Sequence, residues 1–189
     1  MIDRQVEIFC SGINYKTATI DFREKVFLSA GHLYVILPLL KEKCAVSELL
    51  ILSTCNRLEV YGVFETKNNL TTNINKLFYV IQSFLVNNKQ LIQLDIDNGR
   101  YLKKNLHATA HLFSVVASMD SLCVGETQIT GQFKKALAIA KDSQTIGPIL
   151  RRLSQEALFV NKKIRSETSI GKSQNSISQL AIDLAKRLF

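Results

Sequence analysis

The chain is predicted to adopt an α+β fold: a ferredoxin-like split βαβ sandwich followed by a helical subdomain. Three observations lead there. Two strand-like runs, Glu48 to Leu52 and Leu58 to Phe64, flank a short polar connection. Up to Lys104 the elements read strand, helix, two strands, helix, strand, which is the order of a split βαβ sandwich. From Asn105 onward, apolar residues recur only at helical spacing. Element order alone is compatible with other arrangements of the same pieces.

Taken in order, Val6 to Gly12 reads as a first strand ending at a glycine. Asp21 can cap a short helix, with Glu24 three residues on as the return half of a capping box and Phe22 and Val26 inward. A second helical segment covers His32 to Lys43, bent or started at Pro38. After the two strands, Asn68 to Thr72 is a polar connection. Ile74, Leu77, Phe78, Ile81, Phe84 and Leu85 then mark the core face of an amphipathic helix. Asn98-Gly99 signals a turn, and Arg100 to Lys104 is the fourth strand.

Three helices follow: His107 to Val116, a segment with Ile129, Phe133, Leu137 and Ala140 inward, and one opening at Pro148. The last of these should bury Leu153, Ala157, Val160 and Ile164. Ser166 to Asn175 reads as a linker, and Ser176 to Gln179 as the capping-box start of a final helix to Phe189.

A chain of 189 residues suits one good-sized domain with a short extension, and its 47% hydrophobic content argues against disorder. The net charge of +8 favours an anionic partner, nucleic acid first. Four cysteines (Cys10, Cys44, Cys55 and Cys123) lack CxxC spacing and read as reduced thiols of a cytoplasmic protein. Met1 to Tyr15 carries charges and no apolar h-region, so no signal peptide is read there. Leu33 to Leu40 is too short to span a bilayer, and no membrane association is expected. His107 and His111 lie one turn apart, but no acid or cysteine stands at a matching ligand spacing, so no metal is expected.

The stretch with the most chemistry is Ser53 to Tyr61, Ser-Thr-Cys-Asn-Arg-Leu-Glu-Val-Tyr. It places Cys55-Asn56-Arg57 in the connection between the two strands, where Asn tolerates a positive φ. A thiol at that rim, with an arginine two residues away, is favoured as the nucleophilic thiolate. On its own the same pattern also fits an inert cysteine at a strand end.

Ser53 to Tyr61 resembles the active-site signature of the glutamyl-tRNA reductase family. Gly12 to Ala18 with Arg23-Glu24-Lys25 is similar to that family's amino-terminal block. His111-Leu112-Phe113, Asp120-Ser121 and Gly125 to Gln132 are similar to its central one, and Lys163 to Thr168 with Ile170-Gly171 to a fourth. Departures are local: Tyr15 stands where the family usually has His, Thr19 and Thr127 where it has prolines, and Ser118-Met119 where it has Gly-Leu.

The resemblance implies the ferredoxin-like fold and a division into 1–167, an amino-terminal catalytic domain, and 168–189, a linker and first helix leading to an NADPH-binding domain outside this chain. It implies that Cys55 attacks the ester of glutamyl-tRNA(Glu), and that NADPH, held by that other domain, reduces the thioester to glutamate-1-semialdehyde for tetrapyrrole synthesis. His111 matches a position important for activity. Thr54, Asn56, Arg57, Ser121, Glu126, Thr127, Gln128 and Gln132 match substrate-contacting positions, with Arg57 either a fork for the substrate carboxylate or a cation that lowers the thiol pKa. Thr54 offers a hydroxyl and an N–H to an oxyanion. Arg151, Arg152, Lys162, Lys163 and Arg165, with Lys172, fit a tRNA backbone or a solvated helix face equally. The family further implies a homodimer and channelling of product to glutamate-1-semialdehyde aminomutase. A non-catalytic tRNA-binding or regulatory paralogue is the alternative reading, prompted by Tyr15 and by the absence of a GxGxxG turn.

Overall fold

The computed structural model of the protein describes residues 6–65, 69–89, 94–171 and 185–186. Its elements are β1 (Val6–Asn14), α1 (Ile20–Val26), α2 (Ala30–Lys43), β2 (Glu48–Ser53), β3 (Arg57–Glu65), α3 (Leu70–Lys89), β4 (Tyr101–Lys104), α4 (Asn105–Val116), α5 (Gln128–Asp142) and α6 (Pro148–Glu167), then a short 3₁₀ turn at Ser169–Gly171. The strands form one sheet in the order β2-β3-β1-β4, every neighbouring pair antiparallel. That is the ferredoxin-like sandwich, with two helices in its first crossover and a helical subdomain appended. None of the described helices is long and apolar enough to cross a membrane.

The sheet has two unlike faces because side chains alternate along a strand. Phe9 and Ile13 of β1 share one face with Leu58, Val60 and Phe64 of β3, and the Phe9 and Phe64 rings stack at 5.1 Å. Cys10, Gly12 and Asn14 share the other with Arg57, Glu59 and Tyr61. Both faces are covered: β3 is buried at every position except Glu65. A polar stripe is therefore sealed inside the molecule, and Gly12 makes room for it. A Cβ at that glycine would stand 2.2 Å from the Leu58 carbonyl and 2.8 Å from the Glu59 Cα.

The helical subdomain is joined to the free edge of β2. The Leu49 N–H donates to the Thr145 carbonyl at 2.8 Å, and the Thr145 hydroxyl returns to the Leu49 carbonyl at 3.0 Å. Glu48, buried at the start of β2, accepts from the Ile149 and Leu150 N–H groups at 3.0 and 2.7 Å, capping the first turn of α6. Gly147 permits that approach, since a Cβ there would meet the Glu48 carboxylate at 2.4 Å.

Several local expectations are corrected. Thr19, not Asp21, caps α1, its hydroxyl accepting from the Phe22 N–H. α2 starts earlier, behind Ser29, and continues through Pro38; His32 completes Ser29's capping box. The buried face of α6 is Leu150, Ser154, Ala157 and Asn161, so Leu153, Val160 and Ile164 are only half-buried. α6 reaches Glu167, two residues into the expected linker. Lys172 and Asn68 lie outside the described residues, as does the expected last helix apart from Ala185 and Lys186.

Candidate active site

The connection carrying Cys55 is a tight turn built by Thr54. Its hydroxyl accepts from the Asn56 and Arg57 N–H groups at 3.1 and 3.2 Å, and its own N–H donates to the Arg57 carbonyl at 2.8 Å. The Thr54 N–H is thus committed to shaping the turn, whereas its hydroxyl, which only accepts there, keeps its proton to donate. Asn56 is not among the residues with positive φ, so the turn closes without a left-handed residue. Arg23 of α1 holds the loop from outside, donating from Nε to the Cys55 carbonyl at 3.1 Å and from a terminal nitrogen to the Ala18 carbonyl at 2.6 Å. The result is an exposed thiol on a fixed backbone.

Cys55 opens on a cleft of about 70 Å³ lined by Thr54, Cys55, Asn56, Arg57, Ser121, Glu126, Gln128, Ile129 and Gln132. The strand connection supplies one wall, and the loop before α5 with the first turns of α5 supplies the other. Of the catalytic and substrate-contacting residues expected from sequence, only His111 and Thr127 lie outside this lining. Thr127 is exposed just before α5.

Behind the cleft the polar stripe forms a closed network. Glu59, fully buried, accepts from Arg57 at 2.7 Å, from Tyr61 at 2.6 Å and from the Tyr101 hydroxyl, and its Oε1 lies 2.9 Å from His111 Nε2. Burial pushes the Glu59 pKa up, but the Arg57 charge, then His111 and Tyr101, outweigh it and carry it down to about 2. Burial likewise works against the Arg57 charge, and Glu59 beside it keeps the guanidinium ionised. The terminal nitrogens of Arg57 also reach Asp120, one to the carboxylate at 3.3 Å and the other to the backbone carbonyl. A substrate carboxylate would have to displace Asp120 to use Arg57 as a fork.

His111 thus lies outside the cleft lining and bonds to Glu59, which in turn holds Arg57. Cys10, Glu59 and His111 bring ligand-type atoms within 4.8 Å of one another. The Glu59 oxygens, however, are already occupied by four donors, one of them a guanidinium. Burial, then the Glu59 charge, hold the Cys10 thiol well above its ordinary pKa. The arrangement is compensated by Arg57 and does not resemble a cation cage. His107 is exposed on the same helix.

With this geometry in view, similarity to known proteins becomes informative. A family profile described as the N-terminal domain of Glutamyl-tRNAGlu reductase matches residues 11–168. The chain belongs to the glutamyl-tRNA reductase family. The glutamyl-tRNA reductase of Aquifex aeolicus is 38% identical over 185 residues, covering 97% of this chain and 43% of that protein. That of Bacillus subtilis is 35% identical over 184 residues, covering 97% of this chain and 39% of that protein. The solved glutamyl-tRNA reductase from Methanopyrus kandleri superposes with a TM-score of 0.71 at 26% identity, covering 95% of this chain and 39% of that one. The chain thus spans about four tenths of the length of these relatives.

The cleft's second wall is clamped. Tyr15 donates its hydroxyl to the Ser121 carbonyl at 3.3 Å, and neighbouring Lys16 pairs with Asp120. Ser118 takes a left-handed φ of 56°. Its hydroxyl accepts from Arg165 at 2.9 Å, and Arg165 further donates to the Gly125 and Glu126 carbonyls at 3.2 and 2.7 Å and to Asn161 at 3.1 Å. Arg165, expected on a tRNA-facing surface, is instead bound to the loop from Ser118 to Glu126. Arg151, Arg152, Lys162 and Lys163 are exposed on α6, Arg152 paired with Glu156 at 2.7 Å.

Sequence reasoning missed Glu59, Tyr61, Tyr101 and Arg23 as parts of the site. Arg57, Glu59 and Tyr61 stand at alternate positions of a strand flanked by apolar residues, a stripe that marks a polar face needing partners.

Proposed function

We propose that this chain is the acylating part of a glutamyl-tRNA reductase. The observation that carries the reading is an exposed cysteine, fixed on a tight turn, at a cleft whose opposite wall is Ser121, Glu126, Gln128 and Gln132. The Cys55 thiolate attacks the ester carbonyl of glutamyl-tRNA. The bond to the terminal ribose oxygen breaks, a proton goes to that oxygen, and a glutamyl thioester remains on sulfur. The second wall would receive the amino and carboxylate groups of glutamate. Arg57 contributes a buried, ionised charge beside the turn, and His111 acts through Glu59 as a positioning residue.

NADPH is implied by the family. The described residues include no glycine-rich turn from strand to helix that could cradle its phosphates, so they do not fit the cofactor. We assign hydride transfer, yielding glutamate-1-semialdehyde for tetrapyrrole synthesis in the cytoplasm, to regions of the relatives outside the matched span. Dimerisation and channelling to the aminomutase belong to the same proposal.

Acylation and reduction are separable, so this chain should consume glutamyl-tRNA as a slow esterase and make no semialdehyde even with NADPH. Incubation with glutamyl-tRNA followed by intact mass is expected to show a glutamyl adduct, or free glutamate if water takes the thioester. Adduct on the Cys55→Ser protein, or aldehyde from this chain alone, overturns the reading. A tRNA complex with neither adduct nor glutamate would point to a non-catalytic tRNA-binding paralogue.

A further inference from the structure

An attacked ester has two sides, and the Cys55 cleft accounts for one. Its polar wall suits the charged groups of glutamate, while the leaving ribose and its base need a place beyond the carbonyl. The cleft continues past Gln132 into a second, larger groove of about 150 Å³, to which Gln132 is common. Its floor is apolar, formed by Phe27, Leu33, Ala136 and Ile139, and Ser53, two residues before Cys55, lies along it. Phe27 leaves α1 in an extended conformation and is 40% exposed, with an accessible ring. The adjoining backbone is anchored: the Leu28 N–H donates to the Ser53 hydroxyl at 2.8 Å. Phe27 is thereby held at a set position relative to the strand end that carries the thiol. Lys135 stands at the groove as an exposed cation with no acid paired to it among the described residues.

An aromatic face, an aliphatic floor and one free cation, all continuous with a nucleophile's cleft, form a platform for a stacked base with a phosphate beside it. We propose that the groove between Phe27 and Ile139 binds the terminal adenosine of the aminoacyl-tRNA, Phe27 stacking on the base and Lys135 meeting the phosphate on its 5′ side. This deepens the acylation reading and rests on it. The site would orient the ester so that the ribose oxygen departs away from the polar wall.

The test compares two small substrates, 3′-O-glutamyl adenosine and glutamate α-ethyl ester, which differ only in the leaving group. Wild-type protein should prefer the adenosine ester in kcat/KM. Phe27→Ala should reduce that preference about tenfold, the effect of losing one stacked base, and Phe27→Trp should restore it. With the 5′-phosphorylated adenosine ester, Lys135→Ala should weaken the salt dependence of kcat/KM, because one screened charge pair is lost. A preference unchanged by Phe27→Ala overturns the inference and leaves the groove to another occupant, such as a nicotinamide. A wild-type protein acylated by neither ester instead sinks the acylation reading. Because the Phe27 variants are read as a ratio of two substrates on the same protein, partial misfolding does not mimic the expected result.

Discussion

Two regions meet at Arg57 and use the same kinds of side chain to opposite ends. In front lies the open cleft, with an exposed cysteine, a glutamate and two glutamines. Behind lies the sealed stripe, with a fully buried cysteine, a fully buried glutamate, a histidine and two tyrosines. Burial separates them. Removed from water, Glu59 stays ionised only because Arg57, His111 and the tyrosines replace its hydration, while Cys10 beside it is driven toward the neutral thiol. Cys55 is exposed, and its turn holds it at the surface. The sealed region fixes where Arg57 sits, and the open one is free to do chemistry.

The largest test of that contrast swaps the thiols. Cys55→Ser should abolish adduct formation from glutamyl-tRNA, a loss of at least ~10³-fold in rate as expected for a missing nucleophile, whereas Cys10→Ala should stay within about fivefold. Iodoacetamide near neutral pH should label Cys55 first and Cys10 only on unfolding, as read by peptide mass mapping. Early labelling of Cys10 would break the distinction.

Next in size is the sealed network. Glu59→Gln leaves the buried Arg57 guanidinium with only Asp120, at 3.3 Å, as counter-charge and should cost about 3 kcal/mol of folding stability by urea titration. The pH dependence has a definite sign. The folded Glu59 pKa lies at about 2, below an unfolded value of about 4.3. Its stabilising contribution is therefore full above the unfolded value and fades as pH falls toward the folded one. Between those limits the wild-type protein should lose stability on acidification more steeply than Glu59→Gln. Parallel curves would mean that folding leaves the Glu59 pKa unshifted, and a wild type that loses less than Glu59→Gln on acidification would mean that Glu59 is protonated in the fold.

These results bear on what was legible beforehand. The strands around Cys55 could be read because Leu49 to Leu52 form an unbroken apolar run, and the nucleophile because it interrupts two such runs at a turn. The sealed network could not be read in the same way. A glutamate between Leu58 and Val60 looks like the solvent side of a half-buried strand, and only the cover from α4, bringing His111 onto Glu59, reverses that. The inner face of α6 departs from its apolar pattern for a related reason. Ser154 and Asn161 lie inward, Asn161 bonded to Thr130 and Arg165, so hydrophobicity alone rotated the inner face toward Leu153 and Val160. Thr19 displaced Asp21 as a cap because capping depends on where the backbone turns, and both residues can do it.

The clamp of the second wall comes third. Arg165→Ala removes bonds to Asn161, Ser118, Gly125 and Glu126 together and should cost about 2 kcal/mol of stability. Because Ser121 and Glu126 ride on that loop, KM for the glutamyl ester should rise by more than kcat falls. Equal effects on both would show that the loop positions the reacting carbonyl itself.

The smallest expected effect extends the contrast from thiols to cations. Arg57 and Arg165 are bound inside the molecule, whereas Arg151 and Lys162 are exposed on α6. They stand eleven residues apart, about three turns, and so project from one side of the helix. Neither has an acid partner among the described residues, while Arg152 is paired with Glu156. If tRNA follows this side, each free cation releases about one counterion, because backbone contact works through charge and not through sequence. Arg151→Glu with Lys162→Glu should then weaken tRNA binding several-fold at low salt and reduce the log–log salt slope by about 1.5, from ~0.7–0.9 per contact. Arg152→Glu, which removes a charge already shared with a neighbour, should change the slope less. Filter binding across a salt series with non-cognate tRNA suffices, since no base is read. A double variant with the wild-type slope would show that α6 faces only solvent, and the anionic partner implied by the net charge of +8 would have to be met elsewhere.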